Sequence, residues 1–290
     1  MHSKKTLIQY IQQSMHPAYQ KASIDAIQAA LKINYKLNEV PEIGSSKFGG
    51  YPDFSRDLDW PIDKKGIPYL FLAQINLSEI QSYDLTYPIP QKGILYFFAE
   101  VKYPYAFDVL YSDGSKPLKQ RRPLPKEAEN ISFWSLLLKQ KNYFKTYPIG
   151  TISFEQTYTI PYYSSLYYSQ LELEGRLGNI EGMIADEQVY FENLFGEQVV
   201  NHHLFGDYQV VQNERIESNL EGYKLNFKRL NKKDLPAIKA SMDWILFLQL
   251  DTDNALEFYF GDAGKTYFFI KKQDLLKGDF SKIKGYWDTH

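Results

Sequence analysis

The chain predicts a mainly β (α+β) fold, an antiparallel roll or barrel-like set of sheets built from an internally duplicated unit and capped by N-terminal helices. Short strand-like runs, roughly ten of them, dominate from residue 69 onward, with few long helices between them, which argues against a doubly wound parallel sheet. Aromatic residues make up 16% of the 290 positions, with 24 Tyr and 19 Phe, and such rings favour half-buried pleated surfaces. Three blocks of the first half also return in order. Lys47-Phe48-Gly49-Gly50-Tyr51, Leu70 to Asn76 and Gly93 to Phe98 recur as Leu204-Phe205-Gly206-Asp207-Tyr208, Ile245 to Asp251 and Gly264 to Phe269.

In chain order, a short helix is predicted near 4–14 and a second near 17–32. Ile24, Ile27, Ala30 and Leu31 recur at helical spacing there, and Pro17 suits a first turn. Asn34 to Glu39 alternates like a strand, and Pro41, Gly44, Gly49, Gly50 and Pro52 punctuate the next stretch of chain. Strands are expected at 69–76, 93–101, 106–111, 149–159, 169–174, 208–213, 221–229, 244–251, 256–260 and 265–271. Runs such as Tyr69 to Ile75 are apolar on both faces and read as central strands covered above and below. Lys126–Lys141 and Asp186–Phe195 carry amphipathic helical patterns. The pattern gives one domain over 1–290: a helical cap at 1–45, a first repeat at 46–111, an irregular insertion at 112–200 and a second repeat at 201–290.

Composition removes several function classes. With 33 basic and 35 acidic residues the net charge is −2, so no global field draws the chain to nucleic acid or an anionic membrane. Cysteine is absent, which excludes disulfides, thiolate catalysis and thiolate metal sites. Gln9, Gln12 and Gln13 interrupt the apolar start before it reaches signal-peptide length, so a cytoplasmic location is expected. No cofactor motif is present: Phe48-Gly49-Gly50-Tyr51-Pro52-Asp53 lacks the Lys-Ser/Thr of a phosphate loop and reads as a positive-φ turn under Trp60-Pro61. Nor is a metal site predicted. The five histidines lack chelating spacing, and Asp251-Thr252-Asp253-Asn254 opens like a calcium loop but continues with Ala255 and Leu256.

The candidate ligand site is drawn from polar residues in strand context. Gln74 and Gln249 occupy equivalent places in apolar strands, and a buried amide is either tied to neighbouring backbone or aimed into a cavity. If a pseudo-two-fold axis relates them, they flank one cleft with Asn76 and Asp251. Asp251, Asp253 and Asp262 are also general acid/base candidates, against the alternative that they close a hairpin connection. The basic segment Lys116, Lys119, Arg121, Arg122 and Lys126 reads as a solvated loop, with a grip on a nucleic-acid backbone or an acidic protein partner as the other possibility. No Gly-x-Ser-x-Gly elbow supports a serine hydrolase.

Phe48-Gly49-Gly50-Tyr51-Pro52, Trp60-Pro61, Phe71 to Leu77, Gly93 to Phe98, Trp244 to Asp253 and Gly261 to Phe268 together resemble the YwqG-like bacterial family of unknown function, over roughly residues 45–285. The resemblance implies a mainly-β roll and carries no catalytic residue, cofactor or substrate. It also implies proximity of some members to secreted-toxin loci, which fits a toxin-neutralising or other protein-interaction role. The expectation is therefore a non-enzymatic cytoplasmic binding protein whose partner is a protein or a small molecule. The alternative is a carboxylate-based enzyme acting on a small molecule or carbohydrate.

Overall fold

The computed structural model describes residues 3–64, 67–100, 106–118, 120–121, 146–178, 200–212, 215–226 and 229–290. Helices α1 (Lys4–Ser14) and α2 (Pro17–Asp25) lead into strand β1 (Gln28–Leu37). Then come β2 (Lys47–Phe48), β3 (Asp53–Phe54), β4 (Leu70–Asn76), β5 (Ile94–Ala99), β6 (Phe107–Ser112), β7 (Gln120–Arg121) and β8 (Gly150–Thr159). Helix α3 (Leu166–Leu173), β9 (His203–Phe205), helices α4 (Ile216–Glu221) and α5 (Leu235–Ser241), β10 (Trp244–Asp251), β11 (Lys265–Lys271), α6 (Lys272–Lys277) and β12 (Lys284–Asp288) complete the order. Among the described residues no helix is long and apolar enough to cross a membrane.

One ten-stranded sheet runs β12-β11-β10-β9-β1-β8-β2-β4-β5-β6, and every pairing in it is antiparallel. The end strands β6 and β12 lie against each other, which leaves a nearly closed barrel. Gly285 makes that approach possible: a Cβ there would sit 2.3 Å from the Phe107 ring, so any side chain would push the ends apart.

The strand order is palindromic about the β1–β8 ladder, and detail agrees with the order. A bulge interrupts β4 between Phe71 and Ala73, and another interrupts β10 between Leu246 and Leu248. Gln74 pairs with Lys47, and Gln249 pairs with His203. This register sets Phe48 opposite Leu204 in the correspondence, one residue off the Phe48–Phe205 match suggested by the recurrent blocks. The backbone agrees: Gly49 and Gly50 hold φ of 58° and 62°, and the turn after Leu204 is made by Phe205 and Gly206 at 58° and 72°. The long strand opening each half is exchanged, since β1 pairs with β9 and β8 pairs with β2.

Alternation along the strands sorts the core. Leu95, Phe97, Leu248, Leu250, Phe268 and Ile270 join the interior cluster, and their neighbours build two outer clusters. On the first half the outer cluster is Phe54, Phe71, Ile94, Tyr96 and Phe98; on the second it is Ile216, Trp244, Leu246, Tyr267 and Phe269. A fourth cluster seats α1 and α2 on α3 through Leu7, Ile11, Tyr19 and Tyr168. Ser3 caps α1 by accepting the Thr6 amide, and Pro17 opens α2.

Several expected elements differ. The helix predicted over 17–32 ends at Asp25, because a ten-residue ladder with β8 takes up the backbone groups of Gln28–Leu37, and tertiary pairing overrides the local helical pattern. The segment expected as a helical cap, 1–45, therefore supplies a central strand as well as the two capping helices. Residues 169–174, expected as a strand, lie largely in α3, where Tyr168 and Leu171 are buried and the Tyr168 hydroxyl meets that of Ser23 at 2.8 Å. The expected strand at 208–213 is not formed in its described part, 208–212. Gln209 there gives its amide to the Gln249 side chain and its carbonyl to the Tyr267 hydroxyl instead of to a ladder. In place of a strand at 221–229, α4 ends on left-handed Gly222, and its described residues pair with no strand. The run 256–260 keeps a single bridge, Asp253 to Phe258, because Glu257 at φ 56° breaks the extension. The helices expected over Lys126–Lys141 and Asp186–Phe195 lie outside the described residues. In the basic segment, Lys116 pairs with Asp57 at 3.3 Å.

Candidate functional site

A pocket of about 320 Å³ opens on the outer face of the second half, between β10–β11, the ends of α2 and α3, and the connection from β9 to α4. Its construction begins at Gly206, where φ is 72° and a Cβ would meet the Thr159 hydroxyl at 2.5 Å. That close approach lets Thr159 clamp the next residue. Its hydroxyl accepts the Asp207 amide at 2.8 Å and donates to Asp207 Oδ2 at 3.0 Å, while Gln28 Nε2 donates to Oδ1 at 3.2 Å. Beneath lies His203, whose Nε2 is 3.2 Å from the Asp207 carbonyl; burial holds its ring down at about 4.

Tyr208 comes next, its ring 5.5 Å from both Tyr267 and Phe269. Its hydroxyl accepts the Ile216 amide at 3.2 Å and donates to Glu217 Oε2 at 2.9 Å, so the start of α4 carries a second carboxylate into the wall. Trp244, Tyr87 and Tyr167 contribute further rings. The Trp244 indole donates to Glu221 Oε2 at 2.8 Å, with Lys271 and Lys284 over its ring at 5.3 and 4.8 Å.

Both carboxyl groups are electrostatically unusual. Burial pushes Asp207 up to about 7, against the stabilising bond from Thr159 and with the charge of Glu217 adding to the rise. Burial likewise lifts Glu217 to about 7, over the opposing bond from Tyr208 and field of Arg215. Among the described residues neither carboxylate forms an ion pair. Arg215 is tied to the Ser164 carbonyl and the Ser169 hydroxyl at the start of α3. The arrangement can donate or accept protons near neutrality and hold a polar group against aromatic faces.

The six candidates from the sequence stand elsewhere, and none lines this pocket. Gln74 donates to the Ser45 carbonyl at 2.7 Å and to Asp53 Oδ2 at 2.9 Å, and accepts the Asp53 amide at 2.9 Å. Gln249 repeats the pattern with the Asn201 carbonyl at 2.9 Å and the Gln209 amide at 2.8 Å. Each glutamine is thus tied down within its own half. Asn76 caps a short 3₁₀ turn through Ser78 and donates to the Gly44 carbonyl at 2.9 Å.

Asp251 and Asp253 are brought together by His202. Its Nδ1 accepts the Asp251 amide at 3.0 Å, so Nε2 carries the proton and faces Asp253 Oδ2 at 3.2 Å. Burial opposes ionisation of Asp253, but the bonds from His202 and from the Tyr35 hydroxyl at 2.6 Å prevail and hold it at about 2. Asp251 pairs with Lys265. Asp262 is exposed, and its carbonyl accepts the Thr289 hydroxyl at 3.0 Å. Asp207 and Glu217 escape sequence reasoning; in the register of the two ladders Asp207 stands against Tyr51, one residue off the match the recurrent blocks suggest.

A search of the curated proteins found no match. A family model, described as a domain of unknown function, DUF1963, matches residues 46–289, which spans the whole sheet except β1. The chain belongs to the DUF1963 family, a domain of unknown function.

Proposed function

We propose that this protein, a YwqG-like member of its family built from a duplicated unit, is a binding protein that holds a small molecule in the pocket walled by Asp207, Tyr208 and Glu217. One observation carries the reading: among the described residues, rings pack over the outer face of the first half, whereas a cavity opens on that of the second. On the first, Phe54 packs on Tyr96 at 5.1 Å and Trp60 packs on Phe98 at 5.5 Å. On the second half Tyr208 takes the ring position over Tyr267 and Phe269, and a volume of about 320 Å³ remains beside it. A concave site of this size lined by rings and a few convergent polar groups supports ligand binding.

The test is a fragment screen read by protein NMR, using Met242→Trp as a plugged control. Met242 lines the pocket yet is 37% exposed, so an indole there fills space without entering the core. Fragments shifting pocket resonances in the native chain and not in the plugged one uphold the reading; identical shifts in both overturn it. A protein partner such as a toxin, docked on another surface, would bind the plugged variant unchanged.

Two carboxyl groups held at about 7 in one pocket also favour acid–base chemistry on the bound molecule. Under that reading Asp207→Asn and Glu217→Gln retain fragment binding and lose turnover.

A further inference from the structure

We infer that the pocket takes an organic cation, an ammonium group carried on a small apolar or aromatic body, with Asp207 and Glu217 facing the charge. This ligand class rests on the binding reading of the same pocket and narrows it. Among the described residues, three acids line the cavity, Asp25, Asp207 and Glu217, and no lysine, arginine or histidine does. An anionic ligand would find no cationic side chain among the described wall residues, the lysines nearby lying over the outer rings, whereas a cation would find carboxylates already held by neutral donors, Thr159 and Gln28 on one and Tyr208 on the other.

The surrounding rings suit the rest of such a molecule. Tyr87, Tyr167, Tyr208 and Phe269 offer aromatic surface around the carboxylates, and aromatic faces attract ammonium groups. Rings in this region already do so: Lys272 Nζ lies 5.5 Å from the centre of Tyr87, and Lys271 and Lys284 sit over Trp244. Those last two lysines are committed elsewhere. Lys271 pairs with Glu221 at 2.7 Å, and Lys284 donates to the Leu220 carbonyl at 2.9 Å.

Ligand charge and proton occupancy are then coupled. Burial without a cation raises both carboxyls towards 7, so seating an ammonium group restores their ionised form and expels protons. The other titratable groups facing the pair are Asp25, Tyr87, Tyr167 and Tyr208 on the wall, His203 beneath Asp207, and Arg215 beside Glu217. The tyrosines with shifted values move upward, and His203 moves down to about 4, so none of these shifts brings a second titration between pH 6 and 8.

The experiment uses the full chain and two matched pairs of probes: phenethylammonium against phenethyl alcohol, and choline against its neutral carbon isostere. Binding is followed on the indole N–H resonance of Trp244, assigned with Trp244→Phe, and by calorimetry in two buffers of different ionisation enthalpy. At least one cation is expected to bind about tenfold tighter than its neutral partner at pH 8, with protons released at pH 7. In the Asp207→Asn/Glu217→Gln double variant the preference and the proton release both vanish. Equal binding of the neutral probes would overturn the cation and leave the pocket reading standing. No shift from any of the four, in a chain whose fragment screen also fails, would overturn both.

Discussion

The two halves of the sheet share a backbone plan and differ in how they treat polar groups. In the first, Lys47 and Asp53 are paired at 2.8 Å and are 1% and 0% exposed, an ion pair sealed in protein. At the matching register positions the second half has His203 and Gln209. Two other carboxylates of that half, Asp207 and Glu217, line a cavity. The Tyr96 hydroxyl bonds the Asp53 carbonyl at 2.7 Å as the Tyr267 hydroxyl bonds that of Gln209 at 2.8 Å, so the supporting frame is the same in both. The difference teaches that the first half seals an ion pair at these two positions, while the second half, which buries Asp251 and Asp253 elsewhere, sets two further carboxylates on a cavity wall.

The largest expected effect comes from breaking the sealed pair. Lys47→Met leaves Asp53 as a buried, uncompensated charge and should cost about 3–5 kcal/mol in chemical denaturation. Importing the two residues at the matching positions of the other half, Lys47→His with Asp53→Gln, should recover more than half of that loss; a double variant no better than Lys47→Met would show that the frames are not interchangeable. Next is the turn after β2. Gly49 and Phe205 share φ 58°, yet a Cβ on Gly49 would lie 2.2 Å from the Pro148 carbonyl oxygen. Gly49→Ala should therefore cost roughly 2–4 kcal/mol in the same denaturation measurement, although its counterpart tolerates a phenylalanine.

The pocket carboxylates should write themselves into the pH dependence of stability. A carboxyl raised on folding binds its proton in the native state where the unfolded chain has lost it. Stability is therefore greatest below the ordinary values of 3.8 and 4.5 and falls as pH rises towards about 7. His203 acts in the opposite sense, since a ring lowered to about 4 loses stability as pH falls below 6.5. The difference between native protein and Asp207→Asn or Glu217→Gln isolates the acids. Each variant should gain roughly 2 kcal/mol relative to native protein on going from pH 4 to pH 8, in denaturant titrations at both values. Tyr208→Phe is the smallest change, about 1 kcal/mol, because Glu217 and the Ile216 amide lose one partner; it should also raise the Glu217 carboxyl further, visible by carboxyl NMR.

Much of this frame is legible along the chain. Strands β4, β5, β10 and β11 announce themselves because they are apolar on both faces, and Gln74 and Gln249 mark the same place in each half. The end of β1, from Asn34, shows in its alternation, but its start at Gln28 is hidden because its partners, β8 and β9, lie more than a hundred residues away and local spacing there favours a helix. The candidate site is hidden for a related reason: Gln28, Thr159, Asp207 and Glu217 come from four segments and meet only after the sheet forms. Polar residues inside apolar strands are the visible ones, and burial has already committed them to neighbouring backbone.

The exchange of β1 and β8 between the halves has a consequence for synthesis on the ribosome. When β2, β4, β5 and β6 have emerged, the outer edge of β2 faces water until Gly150–Thr159 is made, and β1 waits longer for His203–Phe205. Neither half can complete its sheet from its own stretch of chain, so the nascent protein carries an open strand edge through most of its elongation. Maturation then depends on contacts of long sequence separation, which form slowly and leave the edge of the unfinished sheet exposed to aggregation.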